Sequence, residues 1–244
     1  MRRFCSILTR VSATLVVGAG LVMLAGSGPA MAVGQGDGIV GSPHDFKAEI
    51  WNFRGEICRV CHVPHDHALA TQYYLNGLLW NRGVSAATYT MYNNAWSSSI
   101  DNVQSPQPDG ISKLCLSCHD GTVAIDQFDT QVGGNIFMGP EYGDNRVISI
   151  FRDGSNIDLR GTHPLSIVYD DTVDTGLRPD TTTMGTSGSI ADVLDFQKVQ
   201  CSSCHDVHDE ESVPGTNLLR VANTAAAGGE ASGLCLTCHN KDNR

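Results

Sequence analysis

Long apolar runs are almost missing from this 244-residue sequence. One stands out, the 16 residues Val11 to Gly26, and it is short for a membrane span. Acidic residues are missing from the first 32 positions, which carry Arg2, Arg3 and Arg10 and end in Ala30-Met31-Ala32. That combination reads as a secretory signal, residues 1–32, cleaved after Ala32. Cys5 leaves with it and does not follow a small-residue lipobox, so no lipid anchor is expected. From residue 33 onward basic residues are scarce: 13 Lys+Arg face 26 Asp+Glu. This excludes a nucleic-acid binder, which needs a basic surface, and a polybasic membrane-surface protein. Aliphatic residues are scarce too, with 12 Ile, 14 Leu, 16 Val and 6 Phe making 23% of residues 33–244. Such chains border on compositions that fail to fold alone. Yet 15 aromatic residues remain, so a folded protein with something besides aliphatic side chains in its core is expected.

The cysteines indicate what that is. None of the eight after Cys5 lies outside a CxxCH pentapeptide: Cys58-Arg-Val-Cys61-His62, Cys115-Leu-Ser-Cys118-His119, Cys201-Ser-Ser-Cys204-His205 and Cys235-Leu-Thr-Cys238-His239. CxxCH marks covalent attachment of c-type haem. Two thiols one turn apart add to the two vinyl groups on one porphyrin edge, and the next histidine gives its imidazole to the iron. Disulfides explain an even count but not a histidine after every second cysteine. Structural zinc does not require that histidine at the same offset four times. A thioredoxin-like CxxC lacks a βαβ setting. The expectation is four covalently bound haem c groups.

The four motifs fall into two kinds. The first and third are CxxCHxxH, ending at His65 and His208; the second and fourth are LCLxCH without a trailing histidine. An isolated histidine beside a proline, His44 or His163, precedes each CxxCHxxH, and a Leu-Leu pair followed by arginine lies downstream of each, at Leu78-Leu79-Trp80-Asn81-Arg82 and Leu218-Leu219-Arg220. Two di-haem units in tandem are expected, about 33–140 and 141–244, joined in one integrated tetrahaem domain.

Histidine arithmetic then limits the chemistry. His62, His119, His205 and His239 are the expected proximal ligands. His44, His65, His163 and His208 are the expected distal ones, with His67 spare. Irons closed by two imidazoles pass electrons and do not readily bind small substrates, and without methionine ligation their potentials stay low. Met91, Met138 and Met184 lie away from the haem motifs. Three residues after its motif histidine, on a continuing helix, His65 or His208 points the same way as that histidine. Neither reaches the far face of its own porphyrin, so each is expected to serve another haem. No CxxCK, the mark of an open catalytic iron in several reductases, occurs. The chain is therefore read as an electron carrier and not an enzyme, with a multihaem reductase as the weaker alternative.

The fold class expected is a multihaem cytochrome, mostly coil, with short α-helices around the haem motifs, little β and a haem-filled core. A helix is expected across 68–81, a short strand at Val147–Phe151 and a loop through Asp170–Ser189, whose aspartates could alternatively bind calcium. Trp80, Tyr89, Tyr92 and Trp96 are candidates either for porphyrin faces or for ordinary aromatic clusters.

Gly41-Ser-Pro-His-Asp-Phe46, Cys58-…-Cys-His-Val-Pro-His65, Leu79-Trp-Asn-Arg82, Tyr89-Thr-Met-Tyr92, Lys113-Leu-Cys-Leu-Ser-Cys-His-Asp-Gly-Thr122, Thr162-His-Pro-Leu165 and Cys201-Ser-Ser-Cys-His205 resemble the OmcE-type tetrahaem cytochromes of metal-reducing bacteria. The resemblance implies an extracellular electron-transfer cytochrome whose subunits polymerise into a filament with a continuous haem stack. Its partners would be further copies of itself, other multihaem cytochromes or an extracellular acceptor. A monomeric periplasmic shuttle shares every haem feature. The resemblance also implies bis-histidine ligation throughout, one distal histidine being able to come from the adjacent subunit, with His44 as the natural candidate. His67, which extends the first motif to CxxCHxxHxH, is a departure and leaves open whether His65 or His67 ligates.

Overall fold

The computed structural model describes residues 34, 36–63, 79–93, 95–129, 134–138, 152–153 and 156–240. The expected strand at Val147–Phe151, the expected helix at 68–78, and His65 and His67 lie outside them. Residues 79–81, the end of that expected helix, are described, and they form a turn and an extended segment.

Coil and turns dominate, as the Gly, Ser, Asn and Asp content dictates. Among the described residues three helices interrupt them: α1 (Gly110–His119), α2 (Cys201–Cys204) and α3 (Gly233–Cys238). One-turn 3₁₀ segments occur at Cys58–Val60, Ala191–Val193 and Ala225–Ala227. Each CxxC therefore sits on a helical turn, the geometry that brings both cysteines to one side. The strands are two or three residues long. β1 (Thr88–Thr90) runs parallel to β3 (Asn156–Asp158), with Tyr89 opposite Ile157, and β2 (Arg152–Asp153) pairs antiparallel on the other side of β3. β4 (Ile167–Val168) and β5 (Lys198–Val199) form a separate antiparallel pair. The stretch 170–189 is turns and bends, as expected of a loop.

The largest buried apolar cluster is small: Tyr89, Met91, Leu116, Ile157 and Leu159, where α1 meets the three-stranded sheet. A second patch stacks Phe53 on Phe128 at 5.2 Å, with Trp51 edge-on to Phe128 at 6.3 Å. Among the described residues, buried polar side chains are about as numerous as buried apolar ones, and each polar one needs a partner. Tyr89 Oη donates to Asp120 at 2.5 Å, and Asp120 also accepts from Thr122.

The start of α1 is tied to the third motif. Asp109, its N-cap, accepts from Lys198 Nζ (2.5 Å), Gln200 Nε2 (2.9 Å) and Ser105 Oγ (2.8 Å). Gln200 caps α2 reciprocally with Ser203, and Ser112 Oγ of α1 accepts the Cys201 N–H. Gly34 and residues 36–38 pack on the loop that follows His205. The Gly34 and Gly36 N–H groups donate to Thr216 O and Asp209 Oδ1, and the Gly38 N–H donates to Asp209 O. A Cβ on Gly34 would lie 2.6 Å from Asp209 Oδ1, so only glycine fits there. Ala32–Arg244 cluster as one unit, separate from Met1–Met31. Among the described residues, no helix is long and apolar enough to cross a membrane.

Candidate functional site

The first, third and fourth motifs share one local device. In the first, the His62 N–H donates back to Cys58 O (2.8 Å), His62 bridges Trp80, the Val63 N–H donates to Leu79 O and the Asn81 N–H donates to Cys61 O. In the third, His205 donates to Cys201 O (3.0 Å) and bridges Leu219, while Asp206 donates to Leu218 O and Arg220 to Cys204 O. In the fourth, His239 donates to Cys235 O (2.9 Å) and bridges Leu177, while Asn240 donates to Gly176 O and Arg178 to Cys238 O. A side chain from the bridging segment then holds the carbonyl of the residue after the first cysteine: Asn81 Nδ2 on Arg59 O, Arg220 Nε on Ser202 O, Arg178 Nε on Leu236 O. This satisfies a carbonyl at the end of a turn too short to satisfy its own.

The device corrects the repeat register read from the sequence. Leu79 and Leu218 are equivalent, both in the left-handed region (φ 52° and 60°), so Arg220 matches Asn81 and Arg178 instead of Arg82. The Gly176-Leu177-Arg178 segment was missed, although Leu177-Arg178 repeats the Leu219-Arg220 pair. The second motif differs, because its CxxCH lies at the end of α1 and the Asp120 N–H donates to Leu116 O.

Three imidazole pairs follow. His44 faces His119 with ring centroids 6.2 Å apart, His62 faces His208 at 6.3 Å, and His163 faces His239 at 6.2 Å. Each joins one CxxCH histidine to one histidine outside the pentapeptides. Two imidazoles in line on one metal ion, each nitrogen at about 2 Å and each ring radius about 1.1 Å, put their centroids roughly 6 Å apart. The interplanar angles of 78°, 35° and 57° are rotations that such an axis leaves free. The spacing thus fits an iron between each pair. A haem iron takes four ligands from its porphyrin, so the protein supplies two. Among the described residues no group of three or more His, Cys, Asp or Glu is placed to hold a metal ion by itself.

His44 lies against His119 of its own chain. His208 lies against the histidine of the first motif, not that of its own. No second imidazole faces His205 among the described residues. His205 Nδ1 is 2.8 Å from Asn217 O and His163 Nδ1 is 2.9 Å from Pro164 O. A proton on Nδ1 shared with either carbonyl leaves Nε2 as the nitrogen for a ligand bond.

None of the eight cysteines is in a disulfide. Burial pushes the thiols of Cys61, Cys204 and Cys238 up to about 11, so they carry protons near neutrality. The Cys201 N–H donates to Ser112 Oγ of α1, which sets the third attachment site against the helix that carries the second. A cleft of about 220 Å³ lies beside the first motif, lined by Glu56, Cys58, Arg59, His62 and Val63. Trp80 meets His62 edge-on at 5.9 Å, and its buried indole N–H has no hydrogen-bond partner among the described residues. Tyr89 belongs to the apolar core, and Trp96 is half exposed beneath Arg160 (4.5 Å).

No family model matches this chain, and no curated protein matches it.

Proposed function

We propose that the chain is an exported tetrahaem c-type cytochrome that relays electrons and performs no substrate chemistry of its own. The observation that carries this reading is the set of three imidazole pairs at 6.2–6.3 Å, each containing one CxxCH histidine. The eight cysteines from Cys58 to Cys238 would hold the macrocycles as thioethers. His62, His119, His205 and His239 would be the proximal ligands. His208, His44 and His163 would close the first, second and fourth sites in turn. His65, outside the described residues, would close the third, the reciprocal of His208 on the first. Bound haem supplies a one-electron carrier. The polypeptide's part is to fix both imidazoles of each pair and to hold successive attachment sites next to one another. Porphyrins would also replace the aliphatic side chains that the small core lacks, so folding would depend on haem attachment.

The extracellular filament rests on the resemblance to OmcE-type cytochromes and is the finer part of the proposal. Absorption of the pyridine derivative against protein concentration tests the haem count, with four per chain expected. Electron paramagnetic resonance showing low-spin iron alone supports closed sites, and a high-spin fraction indicates an open one. Electron microscopy separates filament from monomer: uniform single particles at all concentrations remove the filament.

A further inference from the structure

Arg82 is the one fully buried basic side chain among the described residues, 2% exposed. Its guanidinium donates to backbone carbonyls, those of Ile125 (2.9 Å), Ala124 (2.9 Å) and Val60 (3.4 Å), and its Nε has no partner. Carbonyls satisfy hydrogen bonds without cancelling charge. No carboxylate among the described residues pairs with it, so the cation is uncompensated, a costly arrangement in an interior. Its Val60 contact lies between Cys58 and Cys61, the N–H of the neighbouring Asn81 donates to Cys61 O, and the Ser85 N–H donates to Ser117 Oγ between Cys115 and Cys118, so Arg82 sits between the first two attachment sites.

The third motif has the opposite setting. Arg220, beside Cys204, faces Glu211 at 2.5 Å and Asp206 at 3.9 Å, with Asp206 and Asp209 both buried in the same loop. Around the first motif Arg54, Arg59 and Arg82 meet two acids, Glu56 and Asp129, the latter bound by both Arg54 and Arg59, and the buried Asp120 follows His119 at the second.

We propose that Arg82 is a fixed positive charge that raises the reduction potentials of the haems on Cys58/Cys61 and Cys115/Cys118, and places the first of these above the haem on Cys201/Cys204. The proposal rests on the tetrahaem reading. Each reduction adds one electron to ferric iron and needs no proton; the added negative charge is stabilised by the nearby cation. Electrons would then collect on the first motif in preference to the third.

The test is a spectroelectrochemical titration of haem-loaded wild type, Arg82→Met and Arg82→Lys, after haem counting. In Arg82→Met the reduction equilibrium of two haems should fall about tenfold for a unit charge nearby, which is 59 mV for a one-electron couple. Arg82→Lys, which keeps the charge and loses the guanidinium fork, should stay within about threefold of wild type. Unchanged potentials in Arg82→Met with four haems attached overturn the proposal, as does an equal fall in Arg82→Lys. If Arg82→Met does not load, the wild type decides: nuclear magnetic resonance of partly reduced protein should show the Cys58/Cys61 haem reduced before the Cys201/Cys204 haem. The reverse order overturns the proposal. A wild-type count below four haems removes the tetrahaem reading itself, and this proposal with it, whereas four haems with unmoved potentials removes this proposal alone.

Discussion

Replacing His208 by alanine or methionine probes the pairing that crosses the repeat. The structure puts His208 opposite His62, 6.3 Å between ring centres, although it is three residues from His205. The loop that presents it does not depend on the imidazole. Asp206 accepts the backbone N–H groups of His208 (3.1 Å), Glu210 (2.8 Å) and Glu211 (2.7 Å), and Asp209 accepts from Gly36 and Ser212. The fold should therefore survive and four haems should remain attached. In His208→Ala one iron of the four loses its sixth ligand, so about a quarter of the low-spin signal should become high-spin. In His208→Met that iron stays six-coordinate, and its potential should rise by at least about 100 mV, a fraction of the roughly 0.8 V that axial-ligand identity commands. Electron paramagnetic resonance and a potentiometric titration read the two effects, and assigned haem-methyl shifts tell which haem moved. The affected haem should be the one on Cys58 and Cys61. An unaltered spin state, or a change confined to the haem on Cys201 and Cys204, refutes the pairing.

Three further outcomes are expected. Acid should destabilise the fold: Asp109 lies below the usual carboxylate range because, although burial raises it, hydrogen bonds from Lys198, Gln200, Ser105 and Ser166 outweigh that, and Asp129 is lowered by its bond from Arg59. Groups depressed in the folded state contribute stability above the unfolded value, about 3.9, and lose it as pH falls through the folded one. Circular-dichroism melting points should hold from pH 7 to pH 5 and drop below about pH 4; a flat profile down to pH 2 contradicts this. Gly34→Ala should cost about 1–3 kcal/mol in denaturant unfolding through overpacking against Asp209 and Leu218. Asn81→Ala, which strands the Arg59 carbonyl beside the first motif, should cost about 1–3 kcal/mol by the same assay while leaving the haem count at four.

What the sequence discloses here is chemistry of short range. Thioether attachment needs Cys, Cys and His at fixed offsets, so the four motifs and their two kinds can be read directly. The His44 and His163 equivalence was visible through the neighbouring prolines, and the structure places both opposite an LCLxCH histidine. Other features depend on distant pairing. Leucine ordinarily avoids the left-handed region, so nothing local marks Leu79 and Leu218 as the turn residues that set the repeat register. Gly176-Leu177-Arg178 lies far upstream of the motif it supports, unlike its two counterparts, which follow theirs. β1 and β3 are three residues each, too short for a period-two pattern, and form because α1 supplies Leu116 to cover Tyr89 and Ile157. Arg82 was legible as part of a repeated word, but its burial among carbonyls was not.

The crossing of His208 to His62 has a consequence for ancestry. A protein made by doubling a two-haem precursor would ordinarily keep each half able to stand by itself. Here His208 of the later half lies 6.3 Å from His62 of the earlier one, and the N–H groups of Gly34, Gly36 and Gly38 donate into the loop that follows His205. On the tetrahaem proposal, neither half could be lost or shuffled separately without leaving an incomplete site in the other, and selection would act on the two halves together.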